Sequence, residues 1–238
     1  GVTLEDGRTF PACAVASNAD VVNTYQKLLG HHPAGAQRSG KLKRKRMSNS
    51  LFVLYFGLNK QHTQLAHHTV CFGPRYRELI HDIFNGDQLA DDFSLYLHAP
   101  CVTDPSLAPP GCGSYYVLAP VPHLGRADID WTVEGPRLRD RIFDYLEQRY
   151  MPGLRDQLVT QRIFTPFDFR DQLDAHLGSA FSIEPLLTQS AWFRPHNRDE
   201  HFANLYLVGA GTHPGAGVPG VIGSAKATAG LMLETLTT

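Results

Sequence analysis

The sequence predicts a mixed fold: an α/β portion split into two pieces, with an α+β portion carrying a largely antiparallel sheet inserted between them. Three observations predict it. Leu205 to Val208 is a short apolar run, the length of a buried strand; glycines follow at 209, 211, 215, 217, 220 and 223, and then a Pro-free stretch from Val221 to Thr235. Leu51 to Leu58 is apolar on both alternating faces, as in a central strand covered on both sides. Between the opening segment and that strand, His31 to Gly40 is rich in Pro, Gly, Gln and Ser, and Lys41 to Arg46 carries five positive charges in six residues. That break sets a boundary near residue 40, giving domains of 1–40 with 198–238 and of 41–197.

Each element has its own signal. Val2 and Leu4 alternate with polar neighbours, Asp6-Gly7 is a two-residue turn, and Phe10 to Val15 resumes an apolar run, so the chain opens with a β-hairpin. Asp20 is placed to cap a helix from Val21 to Leu29 that Gly30 ends. Residues 31–40 mark the boundary, and the basic run from Lys41 to Arg46 reads first as a solvated linker face. Thr69 to Phe72, Phe93 to Leu97 and Ser114 to Ala119 are further strands, joined by a helix from Arg75 to Asn85 and a loop from Pro100 to Gly113. Pro136 opens an amphipathic helix with Leu138, Ile142, Tyr145 and Leu146 at helical spacing, ending before Pro152-Gly153. Thr165-Pro166 with Asp168 reads as a capping box for a helix reaching about Leu177, which Gly178 ends. Pro219 suits the first turn of the last helix.

Composition narrows the function. The net charge is −1 and the pI about 6.9, so no global field recommends nucleic acid as a partner. Cys13, Cys71, Cys101 and Cys112 form no C-x-x-C pair, which points to free thiols and a cytoplasmic protein. Leu51 to Leu58, the longest apolar stretch, is far short of a bilayer span, so any membrane contact is peripheral. His31-His32 and His67-His68 are adjacent pairs with no metal-ligand spacing, and no metal is expected. Ser179 and Ser224 lie in no G-x-S-x-G elbow. Gly215, Gly217 and Gly220 spell G-x-G-x-x-G, but the strand ends about six residues earlier and the chain stops before an acidic partner about 20 positions on, so this is not the dinucleotide fingerprint.

A strand, a glycine loop and a helix still make a chemically useful unit. The helix N-terminus carries roughly +0.5 of an elementary charge and unpaired N–H groups, and glycines let a ligand approach the backbone. In order and spacing, Asn204 to Leu231 resembles the C-terminal flavin-contacting motif of the carotenoid desaturases related to bacterial phytoene desaturase. Ser17-Asn-Ala-Asp20, Thr165-Pro-Phe-Asp168 and Gln189-Ser-Ala-Trp-Phe-Arg-Pro-His-Asn197 match the same family in the same order.

The resemblance implies a partial Rossmann-like FAD-binding domain with an inserted substrate domain of antiparallel sheet and helices. It implies FAD contacts from Ser17, Asn18, Ala19 and Asp20, and from Gly209, Ala210, Gly211, Thr212 and His213. Gly217, Val218, Pro219, Gly220, Val221 and Ile222 complete the set. Gln189, Trp192, Phe193 and Arg194 are candidates for the substrate side, and no residue is assigned as catalytic. The implied reaction is stepwise desaturation of phytoene to products such as lycopene, by hydride transfer from a substrate C–H bond to the flavin, with oxygen or a quinone as electron acceptor. A long apolar polyene drawn from a bilayer calls for a long apolar channel and a peripheral membrane surface, for which the basic run is a candidate. The family's N-terminal G-x-G-x-x-G segment is absent from these residues and the chain begins at Gly1, so a C-terminal half is expected. Alternatives are a related flavin oxidoreductase, such as a carotenoid isomerase or an amine oxidase, and a non-catalytic lipid-surface module.

Overall fold

In the computed structural model, which describes residues 1–236, the Asp6-Gly7 signal makes a turn, with Gly7 at φ +85°. It joins β1 (Val2–Thr3) to β2 (Thr9–Phe10) in antiparallel register. The apolar run beyond Phe10 is not one strand: Pro11 has no N–H to continue a ladder, and β3 (Val15–Ser17) starts after it. Asp20 caps the next helix as expected, accepting from the Val22 and Asn23 N–H groups. That helix is α1 (Val21–Asn23), and it widens into a π-helical turn over Thr24–Leu28.

The stretch expected as a domain boundary, and the start of the basic run expected as a linker face, are instead helical, as α2 (Pro33–Leu42). His32 caps it through Nδ1, which accepts from the Ala34 N–H at 3.2 Å, and Pro33 occupies the first turn, where its missing N–H costs nothing. Gly35, which reads as a flexible residue, serves close packing: a Cβ there would stand 2.0 Å from the Leu29 carbonyl oxygen.

From Asn49 to Leu173 the chain forms its own unit. Its sheet contains β4 (Ser50–Leu58), β5 (His68–Cys71), β6 (Leu95–His98), β7 (Gly113–Val121) and β8 (Leu158–Phe164). Their order is β5-β6-β7-β4-β8, and every pairing is antiparallel. The helices of this unit are α3 (Tyr76–Asn85), α4 (Trp131–Arg149), α5 (Leu154–Gln157) and α6 (Pro166–Gln172). Phe52, Leu54, Phe56 and Leu58 point to one face of β4 and share a core with Val117, Ala119, Ile142, Phe143 and Leu146. Burying each such side chain contributes about 1.5–3 kcal/mol, so this face anchors the unit. The other face is covered only in part, because Tyr55 is exposed.

Two helix boundaries differ from expectation. Asp130, accepting from the Thr132 N–H, starts α4 at Trp131, so Pro136 lies inside the helix rather than opening it. The capping box at Thr165 and Asp168 is present, but α6 ends at Gln172 because Asp174 takes φ +50° and leaves helical space. Strand β8 was not read from the sequence: four of its central residues, 159–162, are exposed, so no apolar alternation marks it.

The remaining unit joins Gly1–Ser48 to the chain from Asp174 onward. This moves the expected boundaries from about 40 and 197 to 48 and 173. The physical reason is backbone pairing: Met47 bridges Ile183, the Ser48 N–H donates to Ser182, and the Glu184 N–H donates to Arg46. The basic run and residues 174–197 are thereby fastened into the same body. Within it, β9 (Leu205–Leu207) lies parallel to β3, with Val15 opposite Leu205 and Ser17 opposite Leu207, and α7 (Val218–Leu236) follows the glycine loop. Among the described residues no helix is long and apolar enough to cross a membrane.

Candidate functional site

The parallel register of β3 and β9 brings two of the sequence-read segments together. Both strands end at the same level, so Ser17–Asp20 and Gly209–Thr212 leave the sheet side by side. The Val208 N–H donates to the Ser17 carbonyl at 3.0 Å. Asn18 Oδ1 stands only 2.8 Å from where a Cβ on Gly209 would lie, and a Cβ on Gly211 would meet Val21 Cγ1 at 2.8 Å. Those glycines are required by contact between the two turns. Ser17 Oγ and Thr24 Oγ1 are 2.8 Å apart, tying β3 to the helix that follows. Ala19 is exposed beside them. Asp20 is held above the ordinary carboxylate range by burial, against the opposing pull of its two capping N–H bonds.

The loop between β9 and α7 is braced from within. Thr212 is buried, and its hydroxyl donates to the Gly209 carbonyl at 2.9 Å and lies 2.8 Å from Ser224 Oγ. The Gly209 N–H donates to the same serine oxygen at 3.1 Å. The His213 N–H donates to Pro195, while His213 Nδ1 is buried with no hydrogen-bond partner.

Beyond His213 the loop opens. Gly217 takes φ +90°, and no atom lies within 4 Å of where its Cβ would be. Gly220 is different: a Cβ there would stand 2.5 Å from the Gly215 carbonyl oxygen. Val218 and Ile222 are exposed at 71% and 63%, next to this open turn. The Val221 N–H bonds to the Gly217 carbonyl, and Pro219 has no N–H, so the Val218 and Gly220 N–H groups are what the first helical turn offers a ligand. Backbone reachable at Gly217, together with a partly positive helix end, fits the edge of a flat, electron-rich ring.

Gln189 and Arg194 serve the loop's foundation. Gln189 is buried, and its amide donates to the Arg46 and Glu184 carbonyls at 2.8 and 2.9 Å. Arg194 is 3% exposed and donates to the Ala210 and Ile183 carbonyls, each at 2.7 Å, with Nε against Gly215. Burial lowers the pKa of this guanidinium from its usual value. Trp192 and Phe193 lie at the surface, 69% and 61% exposed, bordering a cleft of about 330 Å³ with Arg38, Lys41 and Lys45.

Asn197 is the site residue that sequence reasoning missed. Its buried amide nitrogen reaches the Leu207 and His213 carbonyls at 3.3 and 3.1 Å, and Ser224 Oγ and Thr228 Oγ1 at 3.0 and 3.1 Å. One side chain therefore links β9, the glycine loop and α7. The pair Ser224 and Thr228, one helical turn apart on a helix rich in small and apolar residues, was the available signal.

The inserted unit presents a second feature. Across its sheet, Arg162, Tyr55, Tyr116, His98 and His68 are successive cross-strand partners in one row. An open cleft of about 330 Å³ runs over Tyr55, Tyr116, Pro100, Thr160 and Arg162, and no carboxylate lines it.

Comparisons with known proteins give the family and the fold. Residues 1–233 match the family described as flavin containing amine oxidoreductase. The chain is 80% identical over 235 residues to the lycopene-forming phytoene desaturases of Pseudescherichia vulneris and of Pantoea ananas, covering 99% of this chain and 48% of each of those proteins. It thus spans about half the length of the curated relatives it matches. A crystal structure of an oxidoreductase from Methanosarcina mazei shares the fold, with a TM-score of 0.54 at 15% identity, over 95% of this chain and 44% of that one. A strand pair, braced glycine loop and helix of this form, inside a match that runs through nearly all the described residues, mark the chain as a member of the flavin-containing amine oxidoreductase family.

Proposed function

We propose that the protein containing this chain is an FAD-dependent desaturase that converts phytoene stepwise to more conjugated carotenoids such as lycopene. The observation that carries the reading is the open turn at Gly217, at the start of α7 and beyond a parallel strand pair, in a chain of a flavin family. In this reading β3, β9 and α7 are part of a Rossmann-like FAD-binding domain, and residues 49–173 form the substrate domain. The relatives are named for desaturation of phytoene with lycopene as product, which supplies the substrate class.

FAD, when bound, supplies a two-electron acceptor for hydrogen removed from an unactivated C–C bond. This chain's residues do the holding. The Gly217–Gly220 backbone allows close approach, the Val218 and Gly220 N–H groups stabilise negative charge by roughly 0.3–2 kcal/mol, and Ser17–Asp20 flank the loop. Arg194, Asn197 and Ser224 keep the loop in shape from beneath.

The open sheet face suits an apolar polyene better than an amine. Tyr55 and Tyr116 give it aromatic surface, and the cleft over them contains Arg162 but no acid to pair with an ammonium group. Trp192 and Phe193, exposed beside Lys41 and Lys45, suit a peripheral contact with an anionic bilayer, where each basic residue contributes about 1 kcal/mol.

The test is the full-length protein supplied with FAD and with phytoene in liposomes, its products separated and read by visible absorbance. Loss of phytoene with growth of longer-wavelength polyene bands is the expected result. Unchanged phytoene in the presence of protein that retains FAD overturns the reading, and isomerisation without net oxidation transfers it to an isomerase.

A further inference from the structure

At the edge of the five-stranded sheet, the β5–β6 register sets His68 directly opposite His98, and His67 stands immediately before β5. One ring nitrogen from each of these three histidines lies within 4.8 Å of the others. His67 Nε2 and His98 Nε2 are 2.9 Å apart. Two imidazole nitrogens at that distance repel through their lone pairs unless a proton or a cation stands between them.

Two of the three rings are held by a second nitrogen, while His98 Nδ1 is buried with no hydrogen-bond partner. His67 Nδ1 pairs with Thr103 Oγ1 at 2.6 Å, and His68 Nδ1 pairs with Tyr96 Oη at 2.6 Å. Partners of this kind, on the nitrogen turned away from an ion, fix the tautomer and orientation of metal-binding histidines. A simple hydrogen bond between His67 and His98 accounts for one contact. It does not account for the third imidazole, stacked on His98 and held through Nδ1 by Tyr96.

We propose that His67, His68 and His98 form a binding site for a divalent transition-metal cation of the zinc, nickel or copper class. Three imidazoles without a carboxylate favour these ions over magnesium or calcium, which take oxygen ligands. Nitrogens bound at about 2.0–2.1 Å to one ion stand roughly 2.9–3.3 Å apart, a range that contains the His67–His98 spacing, and the third imidazole closes in from within 4.8 Å. His68 is exposed, so the ion enters from solvent and keeps a position open to water. The site joins β5, β6 and the Thr103 turn, and acts as a clip on the sheet edge.

The probe is zinc chloride, titrated calorimetrically into chelator-stripped, full-length protein that carries no histidine tag. One equivalent is expected to bind, with affinity falling about tenfold or more in His98→Ala and about tenfold in Thr103→Val, which keeps all three ligands. His68→Ala, at an exposed position, gives the same loss and guards against a folding defect at His98. Zinc uptake that is absent in the wild type, or unchanged in the triple variant His67→Ala/His68→Ala/His98→Ala, overturns the proposal.

Discussion

Asn197→Ala should weaken the first unit more than its small loss of volume implies. The Asn197 amide carries two N–H groups, and four acceptors lie within 3.3 Å: Leu207 O, His213 O, Ser224 Oγ and Thr228 Oγ1. Two net hydrogen bonds are lost, at about 0.5–1.5 kcal/mol each. The Leu207 carbonyl keeps Thr228 Oγ1 as a donor at 2.9 Å, while the His213 carbonyl loses its donor, a further cost of about 1–3 kcal/mol if it is left unpaired. The sum is a destabilisation of about 2–6 kcal/mol. The chain has only two tryptophans, Trp131 and Trp192, one in each unit. Because Trp192 is already exposed, hydrogen exchange of the β9 and α7 amides in urea is the better reading of the first unit's unfolding. Flavin retention should fall in parallel, since the same side chain shapes the loop. A loss of stability below about 0.5 kcal/mol would refute the hub assignment, being less than even one hydrogen bond.

Other perturbations separate the remaining roles. A Cβ on Gly217 meets nothing within 4 Å, so Gly217→Val adds mainly left-handed backbone strain of about 1–3 kcal/mol, and the full-length variant should fold but lose bound flavin; a wild-type flavin content would remove Gly217 from the site. Gly220→Val should lose stability and flavin together, since even its Cβ would stand 2.5 Å from the Gly215 carbonyl oxygen, and urea melts would show this. Trp192→Ser with Phe193→Ser should reduce flotation with anionic vesicles, and Lys41→Ala with Lys45→Ala should reduce it in a salt-dependent way; flotation unchanged in both pairs rejects the membrane surface. Burial works against ionisation of Asp199, but bonds from the Tyr25 hydroxyl and the Phe202 and His201 N–H groups, with the Arg38 charge, outweigh it and depress its pKa. A depressed carboxylate stabilises the fold above the ordinary carboxylate pKa and loses that contribution as pH falls through the folded value. Acid unfolding should therefore steepen below about pH 4, and Asp199→Asn should flatten that limb; an unchanged limb rejects the assignment.

Much of this was legible because the signals are local. The Asp6-Gly7 turn, the Asp20 cap, the Thr165–Asp168 box, and the sequence of strand, glycine loop and helix after Asn204 each depend on a few neighbouring residues. What was missed depends on distant partners. Residues 33–42 have the composition of a linker and become helical, with Gly35 against Leu29 and a histidine for a cap. Strand β8 has an exposed face and is recruited by pairing with β4. Gln189 and Arg194 are substrate-side candidates by family resemblance, whereas their donors reach backbone carbonyls. Asn197 gave no local sign, since its partners lie 10 to 31 positions away.

The pairing of β3 with β9 also sets an order of assembly. Val15 meets Leu205 across nearly the whole chain, while the sheet of the inserted unit is complete once Phe164 has been added. Contacts so far apart in sequence are slow to form, because the loop between them must be closed before they give any return. During synthesis the inserted unit can fold while residues 1–48 still wait for their partner strand. Pulse-labelled hydrogen exchange should accordingly protect the amides of β7 before those of β3, which leaves β3 open to proteases and chaperones in the interval.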